Sequence, residues 1–204
     1  MSNKGMDYEK YNKIYLKKGV MTKSGGFVGK YGDNKDLDSK WDRYGNAFDG
    51  KESIDDIMQL KPTSMLDIGC GHNQFIKKIK QIKDIRAVGI DIACPSADFI
   101  APAHILPFKD QSFDMIVSFD CMEHIPEEEV DLSFKEFSRV ANRIYLKISL
   151  AHSKTLIDNE PVHVCVKPKE WWVEMSRKYF QDTKVLLHNR KNTLWENIVL
   201  YGRK

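Results

Sequence analysis

Residues 64–73, Ser-Met-Leu-Asp-Ile-Gly-Cys-Gly-His-Asn, carry an apolar run straight into two glycines. Gly69 and Gly71 let a backbone turn tightly and come close to a ligand. Asp67 stands two residues earlier, inside the apolar run, where a carboxylate is costly unless it faces donors or a cation. Asp91 ends the next apolar run, Ala-Val-Gly-Ile-Asp (87–91). Its distance from Gly69 is about that at which nucleotide-binding folds set an acid on ribose hydroxyls. A nicotinamide dinucleotide is the first ligand to weigh. Its fingerprint requires a third glycine where this chain has Gln74, and an acid at 67 disfavours a pyrophosphate. The pattern suits a ligand that carries ribose and positive charge.

Further chemistry gathers at the ends of two later apolar runs. Asp120 closes Phe-Asp-Met-Ile-Val-Ser-Phe-Asp (113–120) and His124 follows it; His152 follows Arg-Ile-Tyr-Leu-Lys-Ile-Ser-Leu (143–150). Histidine suits proton transfer near neutral pH, so His124 and His152 are candidate bases, with His163 a third. Glu123 reads as a charge at a helix start. Asp120, Glu123 and His124 are metal-type donors, but their spacing matches no dedicated loop, and no metal site is expected. The four cysteines, 70, 94, 121 and 165, form no CxxC pair. They fit a reducing compartment, and Cys70 and Cys121 read as packing residues.

These residues need a scaffold of alternating strands and helices. Strands are expected at 64–69, 87–91, 97–100, 113–120 and 143–150. A helix follows from 73 to 82, with Phe75, Ile76, Ile79 and Ile82 on one face. A second spans 127–141 behind Pro126, its Glu127, Glu128 and Glu129 complementing the dipole. A third opens after Pro168. There Trp171, Trp172, Met175 and Tyr179 read mainly as core, although the two tryptophans cannot face the same way. Strands at 184–188 and 196–201 close the chain as a hairpin. This alternation predicts a doubly wound α/β fold with a mostly parallel sheet and an antiparallel C-terminal edge.

At these motifs the chain resembles the class I S-adenosylmethionine-dependent methyltransferases of the small-molecule and glycan branch. Met-Leu-Asp-Ile-Gly-Cys-Gly-His-Asn looks like their first motif and Val-Gly-Ile-Asp-Ile-Ala (88–93) like their second. Residues 103–125 look like the block that follows, and the similarity covers roughly 62–150. Residues 161–180 add a weaker likeness to relatives among phage and surface-glycan enzymes. The resemblance implies a Rossmann-like seven-stranded sheet, S-adenosylmethionine as cofactor and S-adenosylhomocysteine as product. It implies that Asp67, Gly69, Cys70 and Gly71 line the methionine part. Asp91 and Ile92 would hold the ribose and flank the adenine. Ala103 would offer its N–H to the ring, with Leu106 packed beneath. Asp120 would lie near the sulfonium and the acceptor. Pro102 stands where relatives carry an acid for the adenine amino group, which makes His104 a substitute contact. The expected activity is methyl transfer to a small molecule or sugar, with oxygen slightly ahead of nitrogen. The alternatives are nucleic-acid methylation and a non-catalytic cofactor-binding protein.

Composition bounds these readings. The chain has 204 residues and a net charge of +3, too mild to argue for nucleic acid or a membrane surface. Residues 120–126, Asp-Cys-Met-Glu-His-Ile-Pro, also lack the Asn-Pro-Pro-Tyr type of motif that nucleic-acid methyltransferases carry. No apolar run reaches the ~18 residues of a membrane span, and residues 1–13 show no secretory signal pattern, so a cytoplasmic location is expected. Two regions are expected: an N-terminal segment, 1–60, and a catalytic domain, 61–204. The first is polar, with Gly25, Gly26, Gly29 and Gly32 and scattered aromatics. It is expected to hold a helix near 7–18, a mobile loop over 22–38 and a helix near 51–59. Residues 7–45 are expected to form a lid, with Tyr11, Tyr15, Tyr31, Trp41 or Tyr44 reaching the site.

Overall fold

A computed structural model describes residues 20–22, 50–153, 155–157, 159–192 and 195–204. Strand β1 (Val20–Thr22) is followed by a 3-10 turn (Lys51–Ser53), α1 (Ile54–Gln59), β2 (Ser64–Ile68) and α2 (Gln74–Ile82). Next come β3 (Arg86–Asp91), β4 (Phe99–Ile100), β5 (Phe113–Phe119), a 3-10 turn (Met122–His124), α3 (Glu127–Val140) and β6 (Ala141–Ser149). The chain closes with β7 (Thr155–Ile157), β8 (Glu160–Pro161), α4 (Lys169–Arg177), β9 (Asp182–Asn192) and β10 (Trp195–Arg203).

Seven strands form one sheet in the order β4-β3-β2-β5-β6-β10-β9. The pairs from β4 to β6 are parallel, and β10 runs antiparallel to both β6 and β9. This is the expected doubly wound sheet with a hairpin edge. Strands β2 and β5 lie at its centre and are buried along nearly their whole length, as helices on both faces require. One core cluster joins Leu66, Ile68, Ile116 and Ile144 to Phe134 and Phe137 of α3 and Trp172 of α4. A second joins Met65, Met115 and Val117 to Ile57 of α1 and Phe75, Ile76 and Ile79 of α2. Each large apolar side chain so buried contributes roughly 1.5–3 kcal/mol.

Some elements differ from the sequence expectations. Ile82 is 47% exposed, because α2 ends there and the core face stops one turn earlier, at Ile79. Ala141 is already extended, at φ −142° and ψ 162°, and begins β6. The expected strand at 97–100 shortens to two residues at the sheet edge. The closing hairpin is longer than the apolar pattern suggested. Pairing of β10 with β6 ends at Asn197–Ser149, while β9 and β10 pair further, to Asn192–Trp195. A small three-stranded sheet, β1-β7-β8, was not anticipated, and its β1 falls at the start of what reads as loop. The expected helix near 7–18 and most of the lid region, with its named aromatics, lie outside the described residues.

Candidate active site

Two turns at the carboxyl ends of β2 and β3 are tied into one unit. Gly69, at φ +74°, and Cys70 both donate backbone N–H groups to the Ile90 carbonyl at 2.9 Å. Gly71, at φ +51°, donates to Asp91 Oδ2 at 3.0 Å. Asp91 Oδ1 accepts from Ala93 and Cys94, each at 2.9 Å. The Asp91 carboxylate thus bridges the glycine turn and the turn after β3. A side chain at Gly69 would run into Cys121 Sγ as well as straining the positive φ. Asn73 takes φ 62° and donates to the Cys70 carbonyl at 2.9 Å. That left-handed geometry is one that asparagine, of the residues with a side chain, adopts readily. Gly89 matters for the same packing, since a Cβ there would overlap Asn73 Oδ1.

Asp67 and Asp91 are 2% and 5% exposed. Burial, then the charges of Asp67 and Asp91, push the Cys70 thiol well up. Burial does the same to Cys121, with Asp91 the next cause. Both cysteines therefore stay protonated and act by packing. Two buried acids beside a glycine turn make a donor set that fits a ribose diol and a sulfonium cation. These residues suit S-adenosylmethionine.

The remaining expected cofactor contacts lie along the next loop. Ile92 is half-buried, while Ala103 and Leu106 are buried in the larger core cluster. Leu106 donates its N–H to Glu136 Oε2 at 2.9 Å, and Glu136 is forked by Arg139 at 2.7 Å through both Nε and Nη2. Those bonds from Arg139 hold the Glu136 carboxyl below its usual range against the opposing effect of burial. His104 lies with Nδ1 3.3 Å from Glu129 Oε2 on α3, so the imidazole is engaged by the helix.

The catalytic candidates collect at the carboxyl ends of β5 and β6. Asp120 takes a left-handed φ of 49°. Its Oδ2 accepts from Lys147 Nζ at 2.8 Å. Glu123 is not the solvated helix-start charge that its position suggested. It is 0% exposed, and its Oε1 accepts from the Ser149 N–H at 3.2 Å. Burial, reinforced by repulsion from Asp120, pushes its carboxyl well above the usual range. The His124 and His163 rings meet edge to face with centroids 4.8 Å apart. His163 Nδ1 lies 2.6 Å from the Ala151 carbonyl. Burial lowers the His163 pKa, so its neutral form dominates near neutrality. His152 is exposed. Ser118 Oγ ties β5 to the Ile68 carbonyl at 2.8 Å, just before the glycine turn.

Comparison with known proteins bears on the fold that carries these residues. Residues 66–143 match the family model described as "Methyltransferase domain". Ajmaline N-methyltransferase of Rauvolfia serpentina is 27% identical over 132 residues, 56% of this chain and 44% of that protein. Norajmaline N-methyltransferase of the same plant is 30% identical over 106 residues, 44% of this chain and 36% of that protein. The chain thus spans less than half the length of these curated relatives. Among solved structures, a Pyrococcus horikoshii protein superposes with a TM-score of 0.61 at 17% identity, covering 83% of this chain and 94% of its own. A Burkholderia thailandensis 1,6-didemethyltoxoflavin-N1-methyltransferase, bound to S-adenosylhomocysteine, superposes with a TM-score of 0.59 at 15% identity, covering 100% and 93%. The fold is the Rossmann-like methyltransferase fold. Residues 66–143 are thus similar to a methyltransferase domain and sit in the fold that such domains share.

Proposed function

We propose that this protein transfers the methyl group of S-adenosylmethionine to a small-molecule acceptor. The carrying observation is the meeting of two groups of residues at one contact. The Gly69 turn, tied to Asp91, packs on Cys121, and Cys121 sits between Asp120 and the Glu123–His124 pair. A cofactor at the glycine turn is thereby set beside a cluster able to hold an acceptor. When bound, the sulfonium supplies an activated methyl and a good leaving group. The protein's own task is to hold the acceptor in line and to exclude water. Asp67 and Asp91 orient the cofactor by its charge and ribose. His124 and His163, set ring against ring, line the side of the contact where the acceptor would be held. Asp120, fixed by Lys147, faces the same strand ends.

The relatives are named as N-methyltransferases of ajmaline and norajmaline, which favours nitrogen over the oxygen that the sequence reading preferred. Sugars belong in the acceptor panel because of the resemblance within 161–180. We extend the proposal to residues 1–60 as a closing segment and to a location inside the cell. The first is supported by β1 pairing with β7, Val20 opposite Ile157, between His152 and His163 in the chain. Among the described residues, no helix is long and apolar enough to cross a membrane. The test is transfer of labelled methyl to a panel of small amines, phenols, carboxylic acids and sugars, with RNA and DNA alongside. Label on a small molecule supports the reading. Label on nucleic acid alone, or none despite S-adenosylhomocysteine binding, overturns it.

A further inference from the structure

We propose that Glu123, His124 and His163 bind one divalent transition-metal ion of the zinc class, placed to hold a ligating atom of the acceptor. One ligand atom from each of the three lies within 4.8 Å of the others. A tetrahedral ion about 2.1 Å from each would bring them to roughly 3.4 Å apart, a closure of up to about 1.4 Å that side-chain rotation supplies.

The donor atoms are prepared for this. Glu123 is 0% exposed; its Oε1 is occupied by the Ser149 N–H, while Oε2 has no hydrogen-bond partner among the described residues. A buried carboxylate oxygen left without a donor is costly, and a cation in the cluster removes that cost. The Ala151 carbonyl can only accept, so His163 Nδ1 must be the donor across their 2.6 Å contact. That leaves the lone pair on Nε2, the arrangement that metal-ligating imidazoles use. The scaffold is rigid as well, because Val164 and Cys165 both donate to the Glu123 carbonyl at 3.0 Å. The segment bearing His163 is thus clamped to the turn bearing Glu123 and His124.

Two imidazoles and one carboxylate select a transition metal over magnesium or calcium, which prefer all-oxygen sites. Three protein ligands leave a coordination position open, as in catalytic sites and not in closed structural ones. Asp120 does not close it, since its carboxylate is held by Lys147. The open position would take a hydroxyl or carboxylate oxygen or an amine nitrogen. The ion's effect on the acceptor rests on the methyl-transfer reading above; binding of the ion does not.

The experiment uses the full chain without a histidine tag, stripped with chelator and titrated calorimetrically with Zn2+ and, separately, with Co2+. S-adenosylhomocysteine binding is measured on the same samples. One equivalent of ion should bind, and the Co2+ adduct should show visible d–d bands of a nitrogen-ligated, low-coordinate site. Glu123→Gln and His163→Ala should each weaken the ion by about 100-fold or more, while S-adenosylhomocysteine affinity stays within about threefold. Stripped wild-type chain that binds S-adenosylhomocysteine but no stoichiometric ion overturns the metal site alone. So does ion binding that survives both substitutions. Loss of S-adenosylhomocysteine binding by the wild type would instead overturn the methyltransferase reading.

Discussion

Gly69 faces Cys121 so closely that a methyl group added at its Cα would overlap the cysteine sulfur. The contact joins the cofactor-type turn to the strand end that bears Asp120. Both ends of it are constrained, because Gly69 sits at φ +74° and Cys121 precedes the buried Glu123. Gly69→Ala should therefore cost on two counts, steric overlap and backbone strain, and lower stability by roughly 2–4 kcal/mol. Thermal unfolding reads the loss of stability, and S-adenosylhomocysteine titration reads the accompanying loss of affinity, expected to be at least about tenfold. An alanine variant of wild-type stability would show that the turn can relax away from Cys121.

Asp91 has a larger structural role than its place at a strand end suggests. It accepts from Gly71, Ala93 and Cys94, so Asp91→Ala would leave three backbone donors without their acceptor and would confuse folding with binding. Asp91→Asn is the cleaner variant, because it removes the charge and keeps one of the two acceptor oxygens, so that Ala93 and Cys94 can retain theirs while Gly71 loses its own. It should fold and bind S-adenosylhomocysteine about 10- to 100-fold more weakly, since charge-assisted bonds are the stronger kind. Unchanged affinity by calorimetry would move the ribose elsewhere.

Asp114, at the start of β5, accepts from Arg143 on β6 and from Thr63 through both its N–H and its hydroxyl. Burial pushes the carboxyl up, but the bonds from Arg143 and Thr63 outweigh it, and the net shift is downward. A folded-state pKa below the unfolded value means that the stabilisation is complete above about pH 4 and disappears as pH falls through the folded value. Asp114→Asn should cost roughly 1–3 kcal/mol at pH 7. The difference from wild type should shrink as denaturation is repeated at pH 4, 3 and 2. A difference that is constant with pH would show that the ion pair contributes nothing.

The sheet was readable from the chain because its strands are apolar and bounded by glycine, acid or proline, as in 64–69 and 113–120. Asn73 was expected to open the helix, but its left-handed φ of 62° leaves it one residue ahead of α2. What was not legible depends on contacts distant in sequence. Glu123 looks solvated in its own segment, yet the fold buries it and brings the Ser149 N–H to its side chain and the Val164 and Cys165 N–H groups to its carbonyl. The one available signal for Asp120 was a lysine, Lys147, interrupting an otherwise apolar strand end. His163 gave no metal signal because α3, β6, β7 and β8 separate it in the chain from Glu123 and His124. The pairing of residues 20–22 with 155–157 has no local pattern at all, since three residues are too few to show a period.

Asp120 combines two demands that substitution can separate. Its backbone is left-handed at φ 49°, and its side chain holds Lys147 across β5 and β6 at 2.8 Å. Asparagine tolerates the backbone geometry and removes only the charge, whereas alanine removes both the charge and the local hydrogen-bonding that makes positive φ acceptable. The ion pair is partly exposed, with side chains 30% and 21% accessible, so its own contribution is at most about 1 kcal/mol. Stability should therefore fall in the order wild type, Asp120→Asn, Asp120→Ala, with the alanine variant roughly 1–2 kcal/mol below the asparagine one. Activity should follow a different order. If the carboxylate helps place the acceptor or the sulfonium, both variants lose methyl transfer to a similar degree, because both lack the charge. Chemical denaturation of the three proteins gives the first order, and initial rates of labelled-methyl transfer at saturating cofactor give the second. Rates that track stability instead would assign Asp120 to holding the turn and not to the chemistry beside it.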